Sequence, residues 1–256
     1  MKYIKIIFYS FIFTLSIIPI DCLAQEKNHT EIMDSISNLT KNEIKIQSIA
    51  ILIYQNVVLQ DLSGPVEVFS KAKKLTKGKY EVFTVALDTS IINTENNMIK
   101  LKPDYTINNM PDADYLIIPG ASMPVINSLV DNNTFTDFIK KWNDNKNKKI
   151  VTICTGSYLL ANTGALNNKK ATTHYFVADD FSKQYPKIEL IKNVRFVDSE
   201  KFITSSGITS GIDTALYIVS KHSGEKIKQM ISRALQYEFH EKKNWPIAPN
   251  GMKYMR

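Results

Sequence analysis

The chain has 256 residues, a formal charge of +7 and two cysteines, Cys22 and Cys154. A chain of this length builds one hydrophobic core, which argues against a multidomain array. Its lysines are scattered, and the short groups at residues 71–74 and 146–149 have no interleaved stacking aromatics, so solvated faces are expected and nucleic-acid binding is not.

Residues 1–24 have the pattern of a secretory signal. Lys2 and Lys5 precede an apolar run over residues 6–20, and Cys22-Leu23-Ala24 offers a cleavage site before Gln25. The run is shorter than the roughly 20 apolar residues that a bilayer span needs. Cleavage is therefore expected, with no stable membrane insertion afterwards and a periplasmic or secreted product. A retained anchor is the alternative, and lipid attachment at Cys22 is disfavoured by Asp21 before it. Residues 25–46 read as a polar linker with a short helix at 31–39, residues 47–240 as the folded domain, and residues 241–256 as a tail.

Within the domain, residues 48–54 form an uninterrupted apolar run, as in a strand buried on both faces. Val66, Phe69, Ala72 and Leu75 mark one face of a helix over 65–75, with Gly64 as N-cap and Pro65 as first helical residue. Glu67 then falls in the first turn, where its charge suits the helix dipole. Strands follow at 80–87 and 115–118, the latter ending on Pro119-Gly120. Phe135, Phe138, Ile139 and Trp142 mark an amphipathic helix. A strand at 150–153 leads into a helix at 156–161, a strand pair is expected at 194–197 and 202–205, and helices at 212–220 and 227–239 close the domain. Strands alternating with helices predict an α/β fold: a three-layer, flavodoxin-like sandwich with a mostly parallel sheet covered on both faces.

After signal removal Cys154 is the lone cysteine, which excludes an internal disulfide and points to a reactive site, an intermolecular pairing or an inert buried thiol. Its setting favours reactivity. A buried strand runs into Cys154-Thr155-Gly156-Ser157 and then a helix, the arrangement of a nucleophile elbow, with backbone N–H groups near enough to hold an oxyanion. The helix N-terminus also favours the thiolate. Asp61, expected in the loop after the first strand, is a candidate general acid or base, or a loop Asp bonding its own backbone. Gly120 and Ala121 follow another strand. All three segments thus fall at strand carboxyl ends, where open α/β sheets bind ligands. The Thr155 hydroxyl is expected to reach substrate and its N–H to join that of Ala121 around an oxyanion, unless it only starts the helix. His174 could pair with the thiol, but reads more readily as a core or helix-start histidine. Ser210 is expected to cap the next helix with Asp213 as capping-box partner, while Gly207 and Ile208 line the pocket. No HExxH, paired CxxC, P-loop or GxGxxG motif is present, so no metal or nucleotide cofactor is expected.

The segments QDLSGPVEVF, YLIIPGA, VTICTGSYLLANTGAL, KKATTHY, RFVDSEKFITSSGITSGIDTALYIV and ALQYEF together resemble the ThiJ/PfpI superfamily, with its class-I glutamine-amidotransferase-like fold. Within it, this chain is most similar to the isonitrile hydratase branch, over about residues 47–240. The resemblance implies Cys154 as nucleophile, Asp61 as essential acid, Thr155 as supporting hydroxyl and cofactor-free hydration of an isonitrile to an N-substituted formamide. Gly64, Gly120, Ala121, His174, Gly207 and Ile208 are the expected positions around that small-molecule substrate. Two departures stand out. Gly120-Ala121 replaces the branch's usual two glycines, and Thr155 replaces the histidine of protease and deglycase-like relatives, which argues against a peptidase. Ligand-sensing relatives carry a helix-turn-helix module, which is not expected after Phe239. A homodimer is implied by analogy alone. A non-catalytic binding or redox-sensing protein, or a hydrolase of amides or glycated adducts, are the alternatives to a hydratase.

Overall fold

In the computed structural model the described residues are 45–239. The expected signal, the helix at 31–39, most of the linker and the tail at 241–256 lie outside them. The apolar runs become strands because a chain buried on both sides must satisfy its backbone through sheet ladders while its side chains pack both ways. The first half runs β1 (Gln47–Leu52), α1 (Leu59–Leu75), β2 (Tyr80–Ala86), β3 (Ile92–Asn93), β4 (Lys100–Leu101), β5 (Tyr105–Thr106) and β6 (Tyr115–Ile118). Then come α2 (Met123–Val130), α3 (Asn133–Asp144), β7 (Lys149–Ile153), α4 (Gly156–Asn162), β8 (Lys170–Ala171), α5 (Ala178–Gln184) and β9 (Glu189–Leu190). β10 (Phe196–Ser199), β11 (Phe202–Ser205) and α6 (Ser210–Ala234) complete the order.

Seven strands form the main sheet in the order β10-β11-β7-β6-β1-β2-β5. All neighbours are parallel except the edge pair β10–β11. Every residue of β6 and β11 is buried, and so are Ile150 to Ile153 of β7. This is the α/β, flavodoxin-like sandwich that the alternating pattern predicts. From β1 the chain moves outward to β2 and β5, then returns to place β6 on the other side of β1. The reversal puts the topological switch point at the carboxyl ends of β1 and β6, the usual ligand position in open parallel sheets.

Several boundaries differ from expectation. α1 starts at Leu59, six residues before Pro65, with Val58 as N-cap and Pro65 inside the helix. Proline is normally a start or a break because it removes one helical hydrogen bond, at about 3 kcal/mol. Here the packing of α1 along α6 outweighs that preference. Gly64 is therefore no cap, and Glu67 lies beyond the first turn, in a salt bridge with Lys71. α6 runs through both expected closing helices, interrupted at Gly224 with φ 82° and ψ 165°, and stops at Ala234, not at Phe239. Thr209, not Ser210, is its N-cap. β10 begins at Phe196, two residues later than expected, with Arg195 O still accepting from Ser206 N–H at 2.9 Å just beyond the strand. α2, the small β3–β4 hairpin, the edge strand β5 and the short β8–β9 pair carry no strong sequence period. Among the described residues, no helix is long and apolar enough to cross a membrane.

Candidate active site at the carboxyl edge of the sheet

Cys154 follows β7 directly with φ 57°, a left-handed conformation that is costly for a side chain with a Cβ. The elbow predicted from strand, thiol, glycine and helix is thus present, and strained. Its backbone is held on both sides. Cys154 N–H donates to Ser205 O at 2.9 Å. Its carbonyl accepts from Ser157 Oγ and from Thr173 Oγ1, each at 3.2 Å, and Ser157 Oγ donates to Thr173 Oγ1 at 2.7 Å.

Asp61 sits in the first turn of α1, not in a loop, and is fully buried. Its Oδ2 accepts the Gly120 N–H at 2.9 Å. Its Oδ1 has no N–H or O–H donor among the described residues. The Cys154 thiol lies within interaction range of this carboxyl. Burial is the main force on both groups. It pushes the Asp61 carboxyl up to about 7 against the bond from Gly120, and the exposed Glu95 adds a smaller upward push. It pushes the thiol well above its usual range, and the charge of Asp61 adds to the effect. The expectation of a thiolate held by the helix N-terminus is therefore overturned in the resting site. At 6 % exposure, the desolvation cost of a sulfur anion exceeds the dipole's favourable contribution. The thiol rests protonated beside a carboxyl that titrates near neutrality.

The oxyanion arrangement is also different from that expected. Ala121 N–H donates to Thr155 Oγ1 at 2.9 Å, and Thr155 Oγ1 donates to Ala121 O at 2.7 Å. These bonds occupy both the Ala121 N–H and the Thr155 hydroxyl, so Thr155 locks the loop after β6 onto the elbow. Its own N–H faces the sulfur. Ala121 is buried and bridges to Val57, so its side chain belongs to the packing of that loop.

Two glycines bring backbone against the thiol. A Cβ on Gly120 would stand 2.9 Å from Cys154 Cβ and 2.9 Å from Asp61 Oδ2. On Gly207, whose φ is +74°, it would stand 2.4 Å from Cys154 Cβ and 3.0 Å from Sγ. Ile208 beside it is 42 % exposed at the rim. Gly64, in contrast, is a helix-packing position: a Cβ there would meet Ile212 at 3.0 Å. His174 caps a short 3-10 turn, its Nδ1 accepting from Phe176 N–H at 3.3 Å, as the helix-start alternative predicts. In the ATTHY segment it is Thr173, one position earlier, that reaches the elbow.

Tyr54 was not expected here. It is buried after β1, its hydroxyl donates to Pro119 O, and its ring meets Phe135 edge to face. Burial, then the neighbouring Asp61 carboxylate, holds its hydroxyl protonated. The sequence signal was only an aromatic at the end of a buried run, which reads as core. Among the described residues, no group of three or more His, Cys, Asp or Glu side chains is placed to hold a metal ion.

The DJ-1/PfpI family model matches residues 23–221. The chain is 28% identical to isonitrile hydratase of Pseudomonas putida over 190 residues, 74% of this chain and 78% of that protein. It is 25% identical over 193 residues to the HTH-type transcriptional regulator GbdR of Pseudomonas aeruginosa, where it spans 51% of the regulator and 75% of itself is covered. A crystal structure of a ThiJ/PfpI family protein from Pseudomonas syringae matches with a TM-score of 0.66 at 22% identity, covering 79% of this chain and 81% of that one.

Proposed function

The chain belongs to the DJ-1/PfpI family, and from that premise we propose that it adds water to an isonitrile, giving an N-substituted formamide through a covalent adduct on Cys154. The observation that carries this reading is the pairing of a strained, protonated Cys154 with a buried Asp61 whose Oδ1 has no other donor among the described residues. Such a pair can take a proton from sulfur and return it to carbon. Asp61 carboxylate removes the thiol proton as Sγ bonds to the terminal isonitrile carbon. The resulting Asp61 acid protonates that carbon, leaving a thioimidate on Cys154. Asp61 carboxylate then takes a proton from water as its oxygen adds to the same carbon, the nitrogen is protonated, and the C–S bond breaks. Formamide leaves, and the sulfur recovers its proton. The leader-like pattern at residues 1–24 supports an exported setting for this reaction as part of the same proposal.

The test is to incubate the purified chain with small alkyl and aryl isonitriles and follow formamide by mass spectrometry. Turnover supports the reading. Saturable binding without formamide would instead favour a ligand sensor, in keeping with the regulator relative, and amine or ammonia release from an amide would favour a hydrolase.

Because Asp61 must be ionised to take the thiol proton, kcat/KM is expected to rise with pH through a midpoint near 7. Asp61→Asn should lose about 100-fold or more and abolish that limb. Stability should move the other way. The carboxyl titrates at about 7 in the fold against 3.8 as its unperturbed value, so the folded state binds the extra proton and loses stability as pH rises between these values. Asp61→Asn is therefore expected to unfold at higher denaturant than the wild type at pH 8, with little difference at pH 4. An activity profile flat from about pH 5 to 9 would remove Asp61 from the proton path.

A further inference from the structure

Arg195 lies immediately before β10 and is 5 % exposed. Its Nε donates to Asp213 Oδ2 at 2.7 Å, and its Nη2 donates to Thr209 Oγ1 at 2.9 Å and to Tyr237 Oη at 3.0 Å. Tyr237 in turn donates to the same Asp213 oxygen at 2.9 Å. Asp213, in the first turn of α6, is fully buried. Desolvating two charges is costly and seldom the cheapest way to hold a fold together. A buried pair of this kind is better explained by what it fixes in place.

What it fixes is the connection from β11 to α6. Arg195 O accepts from Ser206 N–H at 2.9 Å and from Ser206 Oγ at 3.1 Å. Its guanidinium holds Thr209. Ser210 Oγ donates to Gly207 O at 2.8 Å. One residue therefore grips both ends of the four-residue segment 206–209, with its backbone at one end and its side chain at the other. The second residue of that segment is Gly207, the backbone wall that presses on Cys154.

We propose that Arg195 and Asp213 are positioning residues that set the gap between Gly207 and the Cys154 sulfur, and hence the access and reactivity of the thiol. Neither touches the thiol. Tyr237 extends the same grip to the segment after α6, so that segment is coupled to the site through one phenol.

The test uses the full chain and reads the rate of Cys154 alkylation by iodoacetamide between pH 6 and 10, quantified on the peptide that contains Cys154. Arg195→Lys keeps a cation for Asp213 but loses the fork that spans Asp213, Thr209 and Tyr237. Thr209→Val removes one exposed acceptor and leaves the ion pair intact. Arg195→Lys should change the alkylation rate by about tenfold and displace its pH profile, and Thr209→Val should change the rate by about threefold at an unchanged unfolding midpoint. The proposal fails if the folded variants alkylate on the wild-type profile while stability alone declines. If Arg195→Lys does not fold, Thr209→Val and Tyr237→Phe decide on the same criterion. Alkylation needs no isonitrile, so failure here and failure of the hydratase reading are separate results.

Discussion

Cys154→Ala is expected to lower isonitrile hydration by at least about 10⁴-fold while leaving a folded protein. The proposed path begins and ends with the bond between Sγ and the substrate carbon, and no other cysteine exists in residues 45–239 to replace it. The fold should survive because alanine accepts the φ of 57° at about the same cost as cysteine, both having a Cβ. The elbow's backbone bonds to Ser205, Ser157 and Thr173 involve no sulfur. The unfolding free energy should therefore stay within about 1.5 kcal/mol of the wild type, the small loss reflecting one vacated sulfur site. Intact mass spectrometry of the wild type stopped during turnover should show the thioimidate mass, and Cys154→Ala should not. Formamide production by a folded Cys154→Ala protein would eliminate covalent catalysis.

The second large effect is on stability. Gly156→Ala should cost about 3 kcal/mol or more, because the new Cβ would stand 2.2 Å from Ile118 O and 2.6 Å from Pro119 O. Both neighbours are backbone and cannot swing aside as a flexible side chain would. The loop after β6 is fixed in turn by Tyr54, by Val58 N–H on Gly120 O and by Thr155 on Ala121. Relief would require α4 to withdraw from β6, which moves Cys154 away from Asp61. Activity and stability are thus expected to fall together, with a loss of roughly 10 °C in thermal midpoint for a domain of this size. An unchanged midpoint in thermal or chemical denaturation would show that α4 does not approach β6 so closely.

The two effects separate the roles of adjacent residues. Cys154 is expected to be dispensable for folding and indispensable for the proposed chemistry. Gly156 touches no reacting atom and decides whether the thiol is presented at all. Thr155, between them, serves presentation through Ala121.

Much of this was legible from residue order alone. Uninterrupted apolar runs identified β1, β6 and β7 because strands buried on both faces cannot alternate polar and apolar residues. The succession of strand, thiol, glycine and helix announced the elbow, and chain order placed Asp61, Gly120 and Cys154 at one sheet edge. These are local signals or follow from the topology of parallel sheets. Charge states were not legible. The N-terminal position of Cys154 on α4 suggests a thiolate, yet only the packed structure shows that burial outweighs the dipole and raises Asp61 as well. Hydrogen-bond partners across long separations were equally hidden. Thr155 and Ala121 are 34 residues apart, and Tyr54 acts in the site through Pro119. Arg195 reads as an ordinary polar residue before a strand until its bonds to Asp213, Thr209 and Tyr237 are formed. Sequence by itself determined the central strands β1, β2, β6, β7 and β11, the helices α1, α3 and α6 that cover them, and which side chain carries the sulfur. The tertiary structure decided what each group is bonded to and how dry it is, because desolvation and long-range hydrogen bonding exist only once distant segments pack together.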